Sequence, residues 1–440
     1  MSKVLIVTVG GSYKPIVTAI ETLQPERVVF ICSDGDRGSK PQVIGKGNPC
    51  EFRRGTEVIE RLPNIPTQAN LGERFQEDRD LVEIQEPDDL SECYIKASST
   101  IQTIKRESPE AEIIADYTGG TKSMSVGLAM ASLDYKVQLY LTTANRTNII
   151  KVERGEMTGQ ASVSPLIAER TIEQFLPLFL HQHNYSAAVA ELKQLSASMQ
   201  LPADSKKKIQ SLYYCCSGFE TWDKFQHQEA LDLLQSEKKR PEIKDFFISL
   251  KRVINSRSRI DDNFKITKEE EIPSHGYEIV QDLLLNAERR ATQERYDDAV
   301  GRLYRALELL AQIRLLQEYE IKTGSVELEK LPESLRTEYQ QQRSPSKKEI
   351  KLGLLNSYEL LSKLPNEPLG ELYQKNSKQL QNALSKRNNS LFAHGFQPIN
   401  NSDYQVMKNI VVKFIEDGIN LVIPENQKWN PLQFPTRFSI

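Results

Sequence analysis

The stretch Glu-Ile-Ile-Ala-Asp-Tyr-Thr-Gly-Gly-Thr-Lys-Ser, residues 112–123, decides the fold of the first part of this chain. Its apolar start predicts a buried strand over Glu112–Tyr117, and the glycine pair that follows predicts a sharp turn. A helix is expected across Lys122–Leu133. A strand, a tight turn and a helix in this order are typical of one step in a parallel sheet.

The same alternation continues on both sides of this stretch. Further strands are predicted at Val4–Val9, Arg27–Ser33, Asp80–Ile84, Lys136–Leu141 and Asn148–Val152. Helical stretches, such as Ile16–Leu23, separate them. The rhythm predicts an α/β Rossmann-like N-terminal domain at residues 1–160, with a largely parallel sheet covered by helices on both faces.

From about Pro165 onward, apolar residues recur at helical spacing instead. Helices are predicted at Ile167–Leu180, Tyr185–Met199, Ile209–Gln226, Gln228–Leu234, Ile243–Ile254, Tyr296–Leu316, Ile350–Leu364 and Glu371–Leu384. We therefore expect an all-α second part, divided into a helical connector region at 161–275 and a C-terminal domain at 276–440. Hinges are expected at Glu153–Pro165 and Asp261–Gly276, and a solvated loop at Ser344–Lys348.

Composition and charge exclude several classes of protein. The net charge is −3, so no global basic field favours tight binding of duplex nucleic acid. The apolar start of the chain is too short for a signal peptide, and no run of about 18 apolar residues predicts a membrane span. The five cysteines have no zinc spacing, which indicates reduced thiols in a cytoplasmic protein without a metal site.

Polar and glycine-rich residues follow three of the predicted strands. They are Gly10-Gly11-Ser12, Ser33-Asp34-Gly35 and Thr118-Gly119-Gly120-Thr121-Lys122. Open α/β sheets bind ligands at such strand ends, where glycines, amide N–H groups and a lysine suit a phosphate. Neither the dinucleotide fingerprint nor the P-loop spacing matches. The alternative is that Gly119-Gly120 is only a tight turn, with Thr121 as the N-cap.

A second polar motif lies near the C-terminus, where Arg387-Asn388 precedes His394. On a helix, Arg387 and His394 would share one face, roughly 10 Å apart along the axis at 1.5 Å per residue. An arginine that holds a phosphate beside a histidine that transfers protons suits phosphodiester cleavage without a metal. The alternative is a helix end, with Gly395 as its C-terminal stop.

These motifs resemble a known pair of domains. Asp116-x-Thr118-Gly119-Gly120-Thr121-Lys122-x-Met124, with Gly10-Gly11-Ser12 after the first strand, resembles a CARF domain, the CRISPR-associated Rossmann fold that binds cyclic oligoadenylates. Arg387-Asn388…His394 resembles the catalytic motif of a HEPN ribonuclease, and Tyr296–Glu308 resembles the paired-helix entry of that domain. In this order, the two are similar to the ancillary ribonucleases of type III CRISPR systems.

The resemblance implies a homodimer in antiviral defence that binds one cyclic oligoadenylate between two CARF domains. A composite HEPN cleft would cleave single-stranded RNA with no metal or other cofactor. Arg387 would stabilise the phosphorane charge, Asn388 would orient a reacting group, and His394 would act in proton transfer. The implied ligand residues are Gly10, Gly11, Ser12, Thr118, Gly119, Gly120, Thr121 and Lys122, and Asp34, Thr143 and Asn145 are added from their positions at strand ends.

Three residues of the helix at Tyr296–Leu316 are assigned a supporting role. Arg302, Arg305 and Glu308 are expected to pair with Arg387 or with RNA, and the alternative is a solvated helix face with salt bridges. Two other functions stay open for the whole chain. In the first, the chain would be a CARF sensor with a different effector, such as a metal-dependent DNase. In the second, it would be a regulatory module without catalysis.

Overall fold

The computed structural model describes residues 2–35, 38–54, 57–144, 156–161, 163–198, 201–267, 271–341, 350–388 and 395–438. The chain divides into two units, Met1–Glu169 and Arg170–Ile440. The domain boundaries at 160/161 and 275/276 stay predictions. None of the described helices is both long and apolar enough to cross a membrane.

The first unit is built on a six-stranded sheet with strand order β5-β2-β1-β6-β7-β8. All neighbouring strands are parallel except β8, which runs antiparallel to β7. The strands of the unit are β1 (Lys3–Thr8), β2 (Arg27–Ser33), β3 (Cys50–Arg54), β4 (Glu57–Leu62), β5 (Leu81–Ile84), β6 (Glu112–Asp116), β7 (Gln138–Ala144) and β8 (Glu156–Gln160). The predicted Rossmann-like α/β fold is confirmed.

Helices connect these strands. They are α1 (Lys14–Leu23), α2 (Pro41–Ile44), α3 (Ile65–Gln68), α4 (Glu77–Asp80), α5 (Leu90–Glu107), α6 (Lys122–Asp134) and α7 (Ser164–Arg170). The central strands are continuous apolar runs because both faces of the sheet are covered, and Leu5, Ile6 and Phe30 are completely buried. This core holds the carboxyl ends of β1 and β6 in fixed positions.

Two features of the first unit differ from expectation. The β3–β4 hairpin was not predicted, because its strands are mostly charged and half-exposed, as the pair Glu51–Arg61 at 2.8 Å illustrates. The prediction of a hinge over Glu153–Pro165 is wrong for the central residues of this range, because they form β8 at the edge of the sheet. This edge strand could not be recognised in the sequence, because it contains polar residues and Gly159. The strand predicted at Asn148–Val152 lies outside the described residues.

The second unit is helical, as predicted. After a π-helical turn at Thr171–Phe175, its helices are α8 (Leu176–His181), α9 (Tyr185–Ser198), α10 (Ala203–Asp223), α11 (His227–Leu234), α12 (Pro241–Ser258), α13 (Glu278–Thr292), α14 (Tyr296–Tyr319), α15 (Glu333–Gln341), α16 (Leu354–Lys363), α17 (Pro368–Asn388) and α18 (Asn401–Val422). Among the described residues of this unit, the only β pairing is an isolated bridge between Val326 and Ile350. The carboxylate-bearing strands that a metal-dependent DNase would need are therefore lacking from the described part of the unit.

The long helix α14 lies at the centre of the second unit and packs against α13, α16, α17 and α18. The predicted apolar stripe along it, from Val300 through Leu307 to Ile313, is buried. The predicted solvated loop at Ser344–Lys348 lies outside the described residues.

Candidate functional site

The first candidate site lies at the point in the sheet where the strand order changes direction. From β1 the chain continues to β2 on one side, whereas β6 and β7 lie on the other side. Ligands of open α/β sheets bind in the crevice beyond the carboxyl ends of the strands at such a switch point. The glycines that follow β1 and β6 lie on either side of this point.

The two glycine turns are in direct contact. A Cβ atom placed on Gly10 would lie 2.4 Å from the amide nitrogen of Gly120, and one on Gly119 would lie 2.2 Å from the carbonyl oxygen of Thr8. Gly120 also has a φ of +85°, which favours glycine. The hydroxyl of Thr8 donates to the Gly119 carbonyl at 2.7 Å. The structure therefore brings Gly10, Gly119 and Gly120 together.

Helix α6 begins directly from this turn. The hydroxyl of Thr121 is the N-cap and accepts from the Met124 N–H at 3.2 Å, while it also donates to the Pro87 carbonyl. Ser125 donates to the Gly119 carbonyl at 2.8 Å. Thr121 therefore has the alternative role, that of an N-cap. This role is compatible with a ligand site, because the free amide groups at the start of a helix attract anions. The Lys122 side chain beside it is exposed.

A buried network below the turn fixes the orientation of Thr118. The Asp116 carboxylate accepts from the Thr118 N–H at 2.9 Å and from the Thr142 hydroxyl at 3.0 Å. Thr118 in turn accepts from the Thr142 N–H at 2.7 Å, and Thr142 shares a hydrogen bond with Thr158. Burial raises the pKa of the Asp116 carboxyl, and these donors act in the opposite direction. Sequence analysis missed Thr142 and Thr158, since their partnership depends on strand pairing.

Asp34 lies one strand away, after β2. Its pKa is lowered by the Gly35 N–H and by the side chain of Gln85, which donates at 3.3 Å. Lys40 is 3.8 Å from Asp34 and pairs more closely with Glu83, at 2.7 Å. Asp34 therefore belongs to a network between β2 and β5. A separate bond, from the Gln42 amide to the Gly10 carbonyl at 2.6 Å, connects this side of the sheet to the glycine turn.

The remaining residues predicted for this site are at its edge or beyond the described part of the chain. Gly11 and Ser12 are exposed next to Gly10, and Thr143 is exposed on β7. Asn145 lies outside the described residues.

The second candidate site is the predicted catalytic motif in the helical unit. Helix α17 is described as far as Asn388, so the backbone of Arg387 and Asn388 is helical, as expected. The side chains of Arg387 and Asn388 and the whole of His394 lie outside the described residues. The chain is described again from Gly395, and the Ile399 N–H donates to the carboxylate of Asp297 at 3.0 Å. Asp297 stands in the first turn of α14, so the segment after the motif is bound to the start of that helix.

The three predicted supporting residues of α14 have two kinds of environment. Arg302 is half-buried and binds the Asp298 carboxylate on its own helix and the side-chain oxygen of Asn286 on α13. Arg305 donates to Glu308 at 2.6 Å and to Gln312 at 2.9 Å on the exposed face of the helix. Arg305 and Glu308 thus match the alternative of a solvated face with salt bridges, while Arg302 connects two helices.

No group of three or more metal-ligating side chains occurs within the described ranges. All five cysteines lie in those ranges, buried and unpaired.

Comparisons with known proteins identify the domains of the second unit. Residues 268–417 match the family model of the Csm6 HEPN domain, and residues 167–262 match that of the Csm6 6H domain. Together, the two matches span more than half of the chain. No curated protein matches it.

Solved structures with similar chains include two that contain nucleotide ligands. One is Enterococcus italicus Csm6 bound to cyclic hexa-2′-fluoro-hexa-dAMP, with 14% identity, a TM-score of 0.44 and coverage of 97% of this chain and 96% of that chain. Another is Can2 from Sulfobacillus thermosulfidooxidans in complex with cyclic tetra-adenylate, with 12% identity, a TM-score of 0.22 and coverage of 54% and 68%.

Proposed function

We propose that this chain, which belongs to the type III CRISPR-associated CARF–HEPN proteins, is a ribonuclease for single-stranded RNA that a cyclic oligoadenylate activates. The observation that carries the proposal is the HEPN family match at residues 268–417, which includes Arg387, Asn388 and His394. A chain with this domain is expected to cleave RNA, and the first unit is expected to control it.

The proposed ligand site is the switch point of the first unit. The Gly10–Gly120 contact leaves no side chain between the two turns, so the backbone itself can approach a phosphate. The start of α6 supplies amide donors, and Lys122 supplies a positive charge for an anionic ligand. Cyclic oligoadenylate has one phosphate per nucleotide, and a two-fold arrangement of such turns would suit a ring with repeated phosphates.

The proposed homodimer is supported by an exposed stripe on α6. Lys122, Val126 and Met130 follow one another at intervals of four residues, so they share one face of the helix. Val126 and Met130 are 46% and 44% exposed, which is unusual for neighbouring apolar side chains. The stripe starts at the ligand turn. A second copy packed on it would bring the two ligand turns together around one axis.

The proposed reaction is transesterification within the RNA. The 2′-hydroxyl loses its proton as its oxygen attacks the adjacent phosphorus, the bond between the phosphorus and the 5′-oxygen breaks, and the 5′-oxygen takes up a proton as it leaves. The products are a 2′,3′-cyclic phosphate and a 5′-hydroxyl. Arg387 stabilises the developing charge, Asn388 orients a reacting group, and His394 transfers a proton or positions the hydroxyl. We propose that no metal is required.

Activation requires that the ligand favours the active arrangement of the cleft. Binding shifts an equilibrium only when the affinity differs between the two states, and the effect is reciprocal. We therefore expect RNA analogues that bind the active cleft to tighten ligand binding in the first unit.

The decisive experiment measures cleavage of single-stranded RNA with a panel of cyclic oligoadenylates. The wild type should cleave only with one ring size, whereas His394→Ala should lose at least about 100-fold in rate, as expected for a general acid or base. His181→Ala is a matched control, since His181 is exposed at the end of α8. If no ligand stimulates the wild type, or if His394→Ala retains full activity, the proposal is wrong and a different effector or a regulatory module is favoured.

A further inference from the structure

The helical unit contains a cavity of about 830 Å³ beside the first half of α14. Its volume is in the range of ligand pockets, roughly 300–1,000 Å³. Apolar side chains, among them Phe225, Leu283 and Leu309, form part of the wall, and three arginines form another part. No role for this cavity follows from the two sites described above.

Three of the four acidic residues of the wall are paired with cationic side chains, and Asp297 is the fourth. Asp261 pairs with Arg257 at 3.3 Å, Asp262 pairs with Lys322 at 2.8 Å, and Asp298 pairs with Arg302. The cavity is therefore not a concentrated negative site that would select a cation. Instead, it combines apolar surface with guanidinium groups, which suits a ligand that has both an aromatic ring and a phosphate.

Arg305 is the most accessible of the wall arginines, with 47% of its side chain exposed. Glu308 and Gln312 both accept from its Nη1, at 2.6 and 2.9 Å, and so hold the guanidinium, which lines the cavity. An oriented guanidinium loses little conformational entropy when it binds a phosphate oxygen. Its position suits a phosphate of a polynucleotide backbone at the cavity mouth.

Asp297 offers an unused hydrogen-bond acceptor. One of its carboxylate oxygens accepts from the Ile399 N–H, and the other is buried without a partner among the described residues. Since Asp297 lines the cavity, rotation of its side chain would turn this oxygen toward a donor on a bound ligand, and an unsatisfied buried acceptor is unfavourable. Cytosine and adenine each present an exocyclic amino group, whereas uracil has a carbonyl at the corresponding position.

Gly301 leaves free space on the side of the cavity that α14 forms. It lines the cavity on α14, and a Cβ atom placed on it would meet nothing within 4 Å. Its φ is not in the left-handed region, so other residues fit the backbone there. A glycine inside a helix costs stability, and the free space above it is consistent with a site kept open for a ligand.

We propose that this cavity binds one unstacked nucleotide of the substrate RNA whose base has an exocyclic amino group. Arg305 contacts the backbone phosphate, the apolar wall covers the base, and Asp297 accepts from the amino group. Since Ile399 connects Asp297 to the segment that follows the catalytic motif, the cavity would hold the RNA next to the cleft. The inference rests on the proposed ribonuclease function and deepens it.

The test measures equilibrium binding of short oligocytidylate and oligouridylate to the full chain in the His394→Ala background, with activating cyclic oligoadenylate present. We expect oligocytidylate to bind about tenfold more tightly than oligouridylate, the order of one base contact. Gly301→Met should obstruct part of the cavity and weaken oligocytidylate binding about tenfold, while Gly301→Ala should change it less than about twofold. Asp297→Asn should remove the preference, because the amide can present a donor instead of an acceptor.

Equal binding of the two oligonucleotides, or equal affinities of Gly301→Met and Gly301→Ala, would overturn the proposal. Thermal unfolding of both variants confirms that they are folded. The outcomes also separate the two proposals. If cyclic oligoadenylate stimulates cleavage by the wild type, and Gly301→Met is as active as Gly301→Ala, only the cavity assignment is refuted. The expected binding pattern without any cleavage by the wild type refutes the ribonuclease and leaves the cavity assignment standing.

Discussion

Gly10 and Gly120 pack backbone against backbone: a Cβ atom on Gly10 would lie 2.4 Å from the Gly120 amide nitrogen. The two residues belong to turns that are more than a hundred positions apart in the sequence, and they meet because β1 and β6 are neighbours in the sheet. The shape of the proposed ligand site thus depends on this one contact.

Gly10→Ala is expected to separate the two turns. Since its methyl group would collide with backbone, the free energy of unfolding should fall by about 1–3 kcal/mol, the usual cost of overpacking. Binding of cyclic oligoadenylate should weaken at the same time. Gly11→Ala is the matched control, because a Cβ there meets nothing within 4 Å. Urea unfolding measures the first effect and ligand titration the second, and an equal loss of stability in the two variants would contradict the packing argument.

The stripe on α6 predicts a change in oligomeric state. Val126→Lys places a charge in the middle of the apolar surface, where a second copy would have to desolvate it. We expect a dimer for the wild type and a monomer for Val126→Lys in sedimentation equilibrium. Thr22→Lys, at an exposed position of α1, adds the same charge elsewhere and should stay dimeric. A dimeric Val126→Lys would show that the subunits associate through another surface.

Metal removal tests the proposed chemistry. If Arg387 and His394 supply the charge and the proton transfer, a chelator should change ligand-stimulated cleavage by less than about twofold. The cleaved 5′ fragments should end in a 2′,3′-cyclic phosphate. A magnesium-dependent nuclease in the same buffer verifies that the chelator is effective. Loss of cleavage that added Mg²⁺ restores would refute the mechanism.

The sequence predicted the sheet well because its strands are buried on both faces and form continuous apolar runs. It failed at α13, whose buried face contains Glu278, Asp282, Asn286 and Arg289. These polar residues recur at helical spacing, and Ile279, Leu283 and Ala287 lie among them at an apolar helical spacing that was overlooked. Their partners, such as Asp223 at 2.7 Å from Arg289, are distant in the sequence. Helix α18 was missed for a similar reason, since its buried residues Tyr404, Met407, Val411 and Phe414 follow an apolar helical pattern that was overlooked.

The glycine turns of the proposed ligand site could be predicted from the sequence, whereas the residues that support these turns could not. Gly119-Gly120 after a buried strand indicated a strand-end site, and the structure places Gly10 against them. Thr142 and Gln42 contact this site only because strands and loops distant in the sequence meet there. The cavity beside Gly301 has no sequence signature, since its walls come from separate helices and loops.

Arg302 and Arg305 are three residues apart on α14 but should respond differently to truncation. Arg302→Ala removes the donor to the buried Asn286 oxygen and should cost about 1–3 kcal/mol of unfolding free energy. Arg305→Ala removes only exposed contacts and should change stability by less than about 0.5 kcal/mol. Denaturant unfolding measures both. Similar losses for the two variants would mean that the exposed pair Arg305–Glu308 is also structural.

Buried histidines should make the helical unit sensitive to acid. His275 accepts from the Tyr277 N–H at 3.1 Å through Nδ1, which requires the neutral ring. Burial, with a further contribution from Arg252, lowers the pKa of His275 to about 4, from a usual value near 6.5. Between these two pKa values the unfolded chain binds more protons than the folded chain, so stability falls as pH falls through this window.

The variant His275→Gln isolates this contribution. Its side-chain oxygen can still accept from the Tyr277 N–H, but it cannot take up a proton. The loss of unfolding free energy between about pH 7 and about pH 5 should therefore be smaller in the variant, by about 1 kcal/mol after allowance for solvent screening. His183, whose pKa burial also lowers to about 4, keeps part of the pH dependence in place. His181→Gln, at an exposed position, is the matched control for the substitution itself. If His275→Gln and the wild type lose the same free energy, the ring of His275 is not the group that titrates on unfolding.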